Sequence, residues 1–122
     1  LQFASAAAFL PQPRFAVYAA TKSFVLSYSR ALAMELKSRQ IYVTAACPGP
    51  VKTEFFDIAE TTGEIPLYKR LVMANPKKVV KKALRDSMMG KRVSVYGPLM
   101  KVFFLLVKVF SHDFILSLLF SA

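Results

Sequence analysis

The stretch Ile41-Tyr42-Val43-Thr44-Ala45-Ala46-Cys47 is a near-continuous apolar run that ends at Pro48. It is rich in β-branched residues and shows no alternation of polar and apolar positions. A short run of this kind is typical of a parallel strand that is buried on both faces, rather than of a half-exposed antiparallel strand. We therefore predict a buried parallel strand at residues 41–47.

Helical patterns lie on both sides of this strand. From about Val17 to Ser38, apolar residues recur at helical spacing and predict a helix with one buried stripe. That stripe would contain Phe24, Val25, Tyr28, Ala31, Leu32 and Leu36. A second helix is predicted to begin at Asn75 with Pro76 in its first position, and to end before Gly90. Its predicted apolar face is formed by Val79, Val80, Ala83, Leu84 and Met88.

Two shorter strands complete the pattern, one at Leu1–Ala4 and one where Val93 and Val95 alternate with polar residues. The order strand, helix, strand, helix, strand predicts an α/β fold with a parallel sheet over residues 1–98. Residues 99–122 form an apolar segment whose uncharged runs are too short to span a bilayer. We expect this segment to be helical, with an apolar face formed by Phe103, Leu106, Phe110, Phe114 and Leu118.

Composition narrows the classes of protein that fit. The chain has 122 residues, is 55% hydrophobic and contains one cysteine, Cys47. These values exclude a disordered tail, a disulfide framework and a multi-cysteine metal site. We expect Cys47 to be a small buried side chain. We also expect the chain to hold no metal. The net charge of +10 raises the question of anionic partners. However, seven basic residues within 77–92 lie opposite an apolar helix face with no interleaved aromatics, so we expect a solvated face and no nucleic-acid partner.

The chemistry-bearing residues are grouped around the first helix. Tyr18 and Lys22 lie one helical turn apart, Ser5 precedes Tyr18 by thirteen residues, and Pro48-Gly49 follows the buried strand. A phenol exchanges protons slowly near neutral pH, and a nearby ammonium favours the phenolate. This set therefore suits general acid/base catalysis.

These three motifs, in this order and spacing, resemble the short-chain dehydrogenase/reductase family over roughly residues 1–97. The resemblance implies a Rossmann-like parallel sheet and hydride transfer between NADP or NAD and a carbonyl or alcohol. It implies that Tyr18 is the general acid/base, that Lys22 assists it and binds the ribose, and that Ser5 contacts the substrate oxygen. It also implies a cofactor-binding turn that consists of Pro48, Gly49, Val51 and Thr53.

The phosphate-binding part of such a domain does not occur in this sequence. The four glycines, Gly49, Gly63, Gly90 and Gly97, include no pair spaced as in a glycine-rich dinucleotide turn. We therefore expect this chain to be the carboxyl-terminal half of the enzyme. By itself it should neither bind the dinucleotide tightly nor turn over substrate.

Several alternatives stay open at this point. Phe9, Phe15, Phe55 and Phe56 either line an apolar substrate pocket or form local core, and Thr53 could cap a helix. Residues 99–122 either close the substrate pocket, pack between subunits, or rest on anionic lipid. The competing function is a non-catalytic basic α/β module on anionic membranes. We expect a homo-oligomer, because half a sheet exposes edges, and a cytoplasmic or membrane-associated protein.

Overall fold

The computed structural model describes residues 1–51 and 73–120 of the chain. Three short parallel strands form its sheet, in the order β1 (Gln2–Phe3), β2 (Ala45–Ala46) and β3 (Val93–Ser94). Within the sheet, Ala45 pairs with Gln2 on one side and with Val93 on the other. The predicted parallel α/β arrangement is confirmed.

Within the described residues, two helices connect the strands and two follow them. Helix α1 (Ala16–Glu35) leads from β1 to β2, and α2 (Pro76–Met88) leads to β3. Helices α3 (Pro98–Val109) and α4 (His112–Phe120) come after β3. Short 3-10 turns occur at Ala6–Ala8 and Lys37–Arg39. Within residues 1–51 and 73–120, no helix has both the length and the apolar character needed to cross a bilayer.

The ends of α2 lie where the sequence places them. The side chain of Asn75 accepts a hydrogen bond of 2.9 Å from the Lys77 N–H, and Pro76 is the first helical residue. Asparagine at this position pairs one of the backbone donors that a helix start leaves unbonded. Gly90 has a φ of 72°, the left-handed conformation that ends many helices.

The predicted buried stripe of α1 is wrong in its largest members. The side chains of Phe24 and Tyr28 are exposed, at 70% and 51% of their surface. The residues of α1 that are buried instead are Ala19, Leu26, Ser29 and Ala33. The sheet that α1 covers has alanines at its centre, and small side chains let helix and strand backbones approach closely. Hydrophobic spacing predicts that the most apolar side chains of α1 face the sheet. In the structure the side chains that face it are mostly small, because these fit against the alanines of the sheet.

A similar correction applies to β2 and α2. Residues 44–47 are buried as predicted, but Ile41 and Tyr42 at the start of the run are exposed. On α2, Val79 and Ala83 are buried, whereas the side chains predicted beside them are exposed, namely Val80, Leu84 and Met88. In both cases the apolar run extends beyond the part of it that the neighbouring elements cover.

The core lies between the sheet, α1 and α3. Its buried residues are Ala4, Ala6, Phe9, Leu26, Ala45, Cys47 and Val95. Helix α3 packs against it with Met100, Phe103, Phe104 and Val107, which recur at helical spacing. Of the five residues predicted to share one apolar face in residues 99–122, Phe103 packs against the core, whereas the other four are exposed, namely Leu106, Phe110, Phe114 and Leu118. One reason is that the segment forms two helices, separated by the extended backbone of Phe110.

A buried carboxylate joins α2 to β3. The Asp86 side chain, 2% exposed, accepts hydrogen bonds of 2.6 and 2.8 Å from Lys82 and of 2.7 Å from the Ser94 hydroxyl. Lys91 Nζ lies 3.4 Å away. Burial acts to raise the pKa of Asp86, but these hydrogen bonds and the two ammonium charges outweigh it and hold the pKa below its usual value. Asp86 is therefore ionised and fully partnered at neutral pH.

Cys47 provides a test of the core. Its side chain is buried, as expected, and burial raises the pKa of the thiol to about 11 against the opposing effects of Arg30 and of a backbone hydrogen bond from Ser5. The thiolate is the reactive form of cysteine. We expect the native thiol to resist a disulfide reagent at about pH 8 and to react stoichiometrically once urea unfolds the chain. Rapid, complete labelling without denaturant would contradict the burial described above.

Candidate active site

Ser5 lies two residues after β1, at the carboxyl end of that strand. It is buried, its backbone is extended, and its Oγ accepts a hydrogen bond of 3.1 Å from the Ala7 N–H. This bond caps the 3-10 turn Ala6–Ala8 and fixes the position of the hydroxyl oxygen. Because the oxygen acts as acceptor in this bond, the hydroxyl proton remains available for donation to a substrate oxygen.

Tyr18 and Lys22 occupy the first two turns of α1, and both are half-buried. Lys22 Nζ lies 5.7 Å from the centroid of the Tyr18 ring, within the range of a cation–π interaction. The same Nζ lies 3.4 Å from the carbonyl oxygen of Phe3 in β1 and donates a hydrogen bond to it. Lys22 thus holds its charge beside the phenol ring and ties α1 to the strand that precedes Ser5.

Backbone hydrogen bonds bring the other motifs to the same edge of the sheet. The Ala6 N–H donates to the carbonyl of Pro48 at 2.9 Å, which places the turn after Ser5 against the Pro48-Gly49 turn. The Ser23 hydroxyl donates to the carbonyl of Ala8 at 3.1 Å. In open α/β sheets, ligands bind outside the carboxyl ends of the strands. The structure therefore gathers all three predicted motifs at the edge where a ligand would bind.

Helix α3 also reaches this edge of the sheet. A Cβ placed on Gly49 would lie 2.5 Å from Met100 Sδ, so glycine permits the close approach of this turn and α3. The ring of Phe9 packs against Phe103 and Phe104, with centroids 6.4 and 4.6 Å apart. The signal for this contact was the spacing of Met100, Phe103, Phe104 and Val107, which define one helix face.

The remaining predicted site residues are distributed as follows. Phe9 is buried in the core, and Phe15 is half-buried at the start of α1. Val51 pairs with Ala74 in an isolated parallel bridge. Thr53, Phe55 and Phe56 lie outside the described residues. The individual catalytic, cofactor and substrate roles of all these residues stay predictions.

A separate apolar groove of about 460 Å³ lies on the other side of α1. Residues 10–13, α1 and the first turns of α4 line it, with Ala16, Ala20 and Ser23 from α1 and His112 and Leu116 from α4. Ser5, Tyr18 and Lys22 are not among its lining residues. Over residues 1–51 and 73–120, no three potential metal-ligating side chains of histidine, cysteine, aspartate or glutamate form a group.

Together, the parallel sheet and the motifs at its carboxyl edge define a Rossmann-like α/β domain. The family model described as short chain dehydrogenase matches residues 1–62, a span that includes Ser5, Tyr18, Lys22 and the Pro48-Gly49 turn. The chain belongs to this family.

Curated relatives agree with this assignment. The chain is 38% identical over 74 residues to "Very-long-chain 3-oxoacyl-CoA reductase-B" of Danio rerio, covering 61% of this chain and 24% of that protein. It is 43% identical over 47 residues to "Short-chain type dehydrogenase/reductase" of Picea abies, covering 38% of this chain and 17% of that protein. The chain therefore spans about a quarter or less of the length of these relatives.

Solved structures show the same fold. A short-chain dehydrogenase from Sphingobium yanoikuyae in complex with NADPH superposes with a TM-score of 0.70 at 24% identity, over 94% of this chain and 43% of that one. The bulky-bulky ketone specific alcohol dehydrogenase from Comamonas testosteroni gives 0.61 at 25% identity, over 94% and 40%. The predicted Rossmann-like arrangement is thus confirmed.

Proposed function

We propose that this chain is the carboxyl-terminal, catalytic portion of an NAD(P)-dependent oxidoreductase. The single observation that carries the proposal is the position of the Lys22 ammonium. It lies beside the Tyr18 ring and bonds the Phe3 carbonyl of β1, the strand that leads into Ser5. A phenol, a cation and a positioned hydroxyl at one sheet edge suit proton transfer to an oxygen that gains charge as a carbonyl is reduced.

The residues fit the nicotinamide end of a dinucleotide. Lys22 is a donor for ribose hydroxyls, and the Pro48-Gly49 turn, adjacent to Ser5 through the bond from Ala6, offers backbone groups for a carboxamide. The bound nicotinamide would supply or accept the hydride. The glycines of the sequence supply no glycine-rich turn for the pyrophosphate, so that part of the cofactor would need other residues.

Within this proposal each side chain has one task. Ser5 Oγ donates a hydrogen bond to the carbonyl oxygen of the substrate and polarises it. Tyr18 gives its hydroxyl proton to that oxygen as it becomes an alkoxide. Lys22 stabilises the resulting phenolate by its positive charge, and a proton from solvent then restores the Tyr18 hydroxyl.

We propose that the substrate is an apolar ketone. Within this class, a long-chain 3-oxoacyl thioester is the first candidate to test. Two observations support this class. The relatives include a protein named for very-long-chain 3-oxoacyl-CoA reduction. In addition, the partly buried rings of Phe103 and Phe104 on α3 pack against the buried Phe9 close to Ser5, so the packing beside the site is aromatic and apolar.

The test is NADPH oxidation by the full-length protein that carries these residues, with a long-chain 3-oxoacyl-CoA as substrate. We expect turnover by that protein. For the 122-residue chain alone, we expect no turnover and a dissociation constant for NADPH above the micromolar range, because the pyrophosphate would have no glycine-rich turn. Micromolar binding of NADPH by the chain alone would contradict the proposal that the pyrophosphate needs residues beyond those of this sequence. Failure of the full-length protein with both NADPH and NADH would favour the non-catalytic module.

The exposed side of α1 supports a homo-oligomer as the working form. Phe24 and Tyr28 stack at 5.9 Å between ring centroids and are both exposed. Exposed apolar side chains that lie together often mark an interface.

A further inference from the structure

Helix α3 has two apolar faces, and only one of them is used by the fold. The inner face packs against the core. The opposite face is also uncharged, and its side chains are between 44% and 76% exposed, namely Leu99, Val102, Leu105, Leu106 and Val109. We call these five residues the outer face of α3. A helix that needs only one face for packing usually carries polar residues on the other.

The apolar surface continues onto α4. The rings of Phe110 and Phe114 lie 5.6 Å apart between centroids and connect the two helices. Phe110, Phe114 and Leu118 are exposed by 46%, 53% and 71%. Asp113 is the one acidic residue between 98 and 120. Exposed apolar side chains therefore extend over both helices with little negative charge among them.

Two lysines flank the outer face of α3. Lys101 and Lys108 are seven residues apart, so they lie on the same side of the helix, and both are exposed. Lys108 Nζ lies 4.0 Å from the centroid of the Phe104 ring, at the boundary between the inner and outer faces. The arrangement is an apolar face with a cationic margin.

We propose that the outer face of α3, with Phe110, Phe114 and Leu118 of the adjoining segment, rests on the surface of an anionic lipid bilayer. Charge decides between this occupant and a second copy of the chain. The chain carries a net charge of +10, which opposes self-association through a face bordered by lysines and attracts an anionic surface. Interfacial helices of this type combine an apolar face with lysines on its border.

The packing of α3 limits how the helix can enter the lipid. Its inner face is held against the core by Phe103 and Phe104, which contact Phe9. Only the outer face can then enter the boundary between headgroups and acyl chains, with the helix parallel to the surface. This surface would bring an apolar substrate dissolved in the bilayer close to the protein.

The first experiment is co-sedimentation of the 122-residue chain with phosphatidylcholine vesicles, with and without phosphatidylserine. The outer-face variant is Val102→Gln/Leu106→Gln/Val109→Gln. Its matched control is Val17→Gln/Met34→Gln/Met88→Gln, which changes three apolar residues on α1 and α2 that are at least as exposed as those of the first variant. We expect binding to the anionic vesicles to fall by roughly tenfold or more in the first variant and to stay unchanged in the second. Equal losses in both would overturn the proposal.

The lysines are tested in the same assay. A lysine beside an anionic surface strengthens binding by roughly fivefold. Lys101→Ala/Lys108→Ala should therefore lower binding to phosphatidylserine vesicles more than Lys77→Ala/Lys78→Ala, which removes the same charge from exposed positions on α2. If the two pairs have the same effect, binding reports net charge alone and the proposed orientation is wrong.

A fluorescent reporter keeps the test decisive if the triple variant does not fold. The chain contains no tryptophan. Val109→Trp should show a blue shift with anionic vesicles and quenching by brominated lipid, whereas Val17→Trp on α1 should show neither. No shift at position 109, or equal shifts at both positions, would overturn the proposal. A shift at 109 without vesicles, accompanied by dimers in sedimentation velocity, would assign the face to a second copy instead.

Discussion

Tyr18→Phe in the full-length protein is expected to lower the turnover number by roughly 100- to 10,000-fold, the range that a positioned general acid contributes. The change removes one oxygen and leaves the ring. Lys22 lies 5.7 Å from that ring, so the cation–π contact and the bond from Lys22 to Phe3 should both persist. The loss should therefore appear in the chemical step and leave the dissociation constant of NADPH almost unchanged.

Tyr28→Phe is the matched control. Tyr28 lies on the same helix and is 51% exposed, and its hydroxyl has no proposed role in proton transfer. For both variants, steady-state rates with NADPH and a 3-oxoacyl-CoA give the turnover number. Fluorescence titration gives the dissociation constant of NADPH. Full activity in Tyr18→Phe would remove Tyr18 from its assigned role. A large loss of NADPH affinity would instead show that the hydroxyl acts mainly in binding.

The parts of the fold that the sequence predicted correctly depend on local signals. Asn75 and Pro76 define the start of α2 because capping involves residues that are adjacent in the chain. Gly90 defines its end for the same reason. The burial of residues 44–47 followed from an apolar run of a length that suits a central strand.

The incorrect predictions concern helix faces and contacts that depend on residues far away in the chain. Whether Phe24 or Ala19 of α1 faces the sheet depends on the side chains of β2, which are alanines and admit only small neighbours. The approach of Met100 to Gly49 joins residues that are far apart in the chain. Hydrophobic spacing within one helix shows which side chains share a face, but it does not show which distant residues that face contacts.

In the candidate site too, the sequence identifies the residues, whereas only the fold shows the contacts that position them. Residue types and spacing were enough to select Ser5, Tyr18 and Lys22 as one group. The bonds that assemble them are mostly to backbone carbonyls, such as those of Phe3 and Pro48. Because every residue has a carbonyl, these acceptors leave no mark on the sequence and only the folded chain reveals them.

Asp86→Ala is the change with the largest expected effect on stability. It removes the acceptor for Lys82 and Ser94 and leaves the buried Ser94 hydroxyl without its carboxylate. Because Lys82 and Lys91 are partly exposed, at 24% and 48%, water can rehydrate their ammonium groups and moderate the loss. We expect the free energy of unfolding to fall by about 2–4 kcal/mol at neutral pH, as urea denaturation would measure.

The pH dependence separates this carboxylate from a general loss of packing. The pKa of Asp86 is lower in the folded chain than in the unfolded one. Its ionised form therefore contributes fully above the unfolded pKa, and that contribution is lost as pH falls through the folded pKa. The difference in unfolding free energy between the wild-type chain and Asp86→Ala should begin to shrink as the pH approaches the ordinary aspartate pKa of 3.8 from above, and should continue to shrink below it. Asp113→Ala, a change in an exposed aspartate of α4, should alter stability by less than about 0.5 kcal/mol throughout. A difference for Asp86→Ala that stays constant with pH would mean that the fold leaves the pKa of this carboxyl group unshifted, and that Lys82 does not stabilise its ionised form as described.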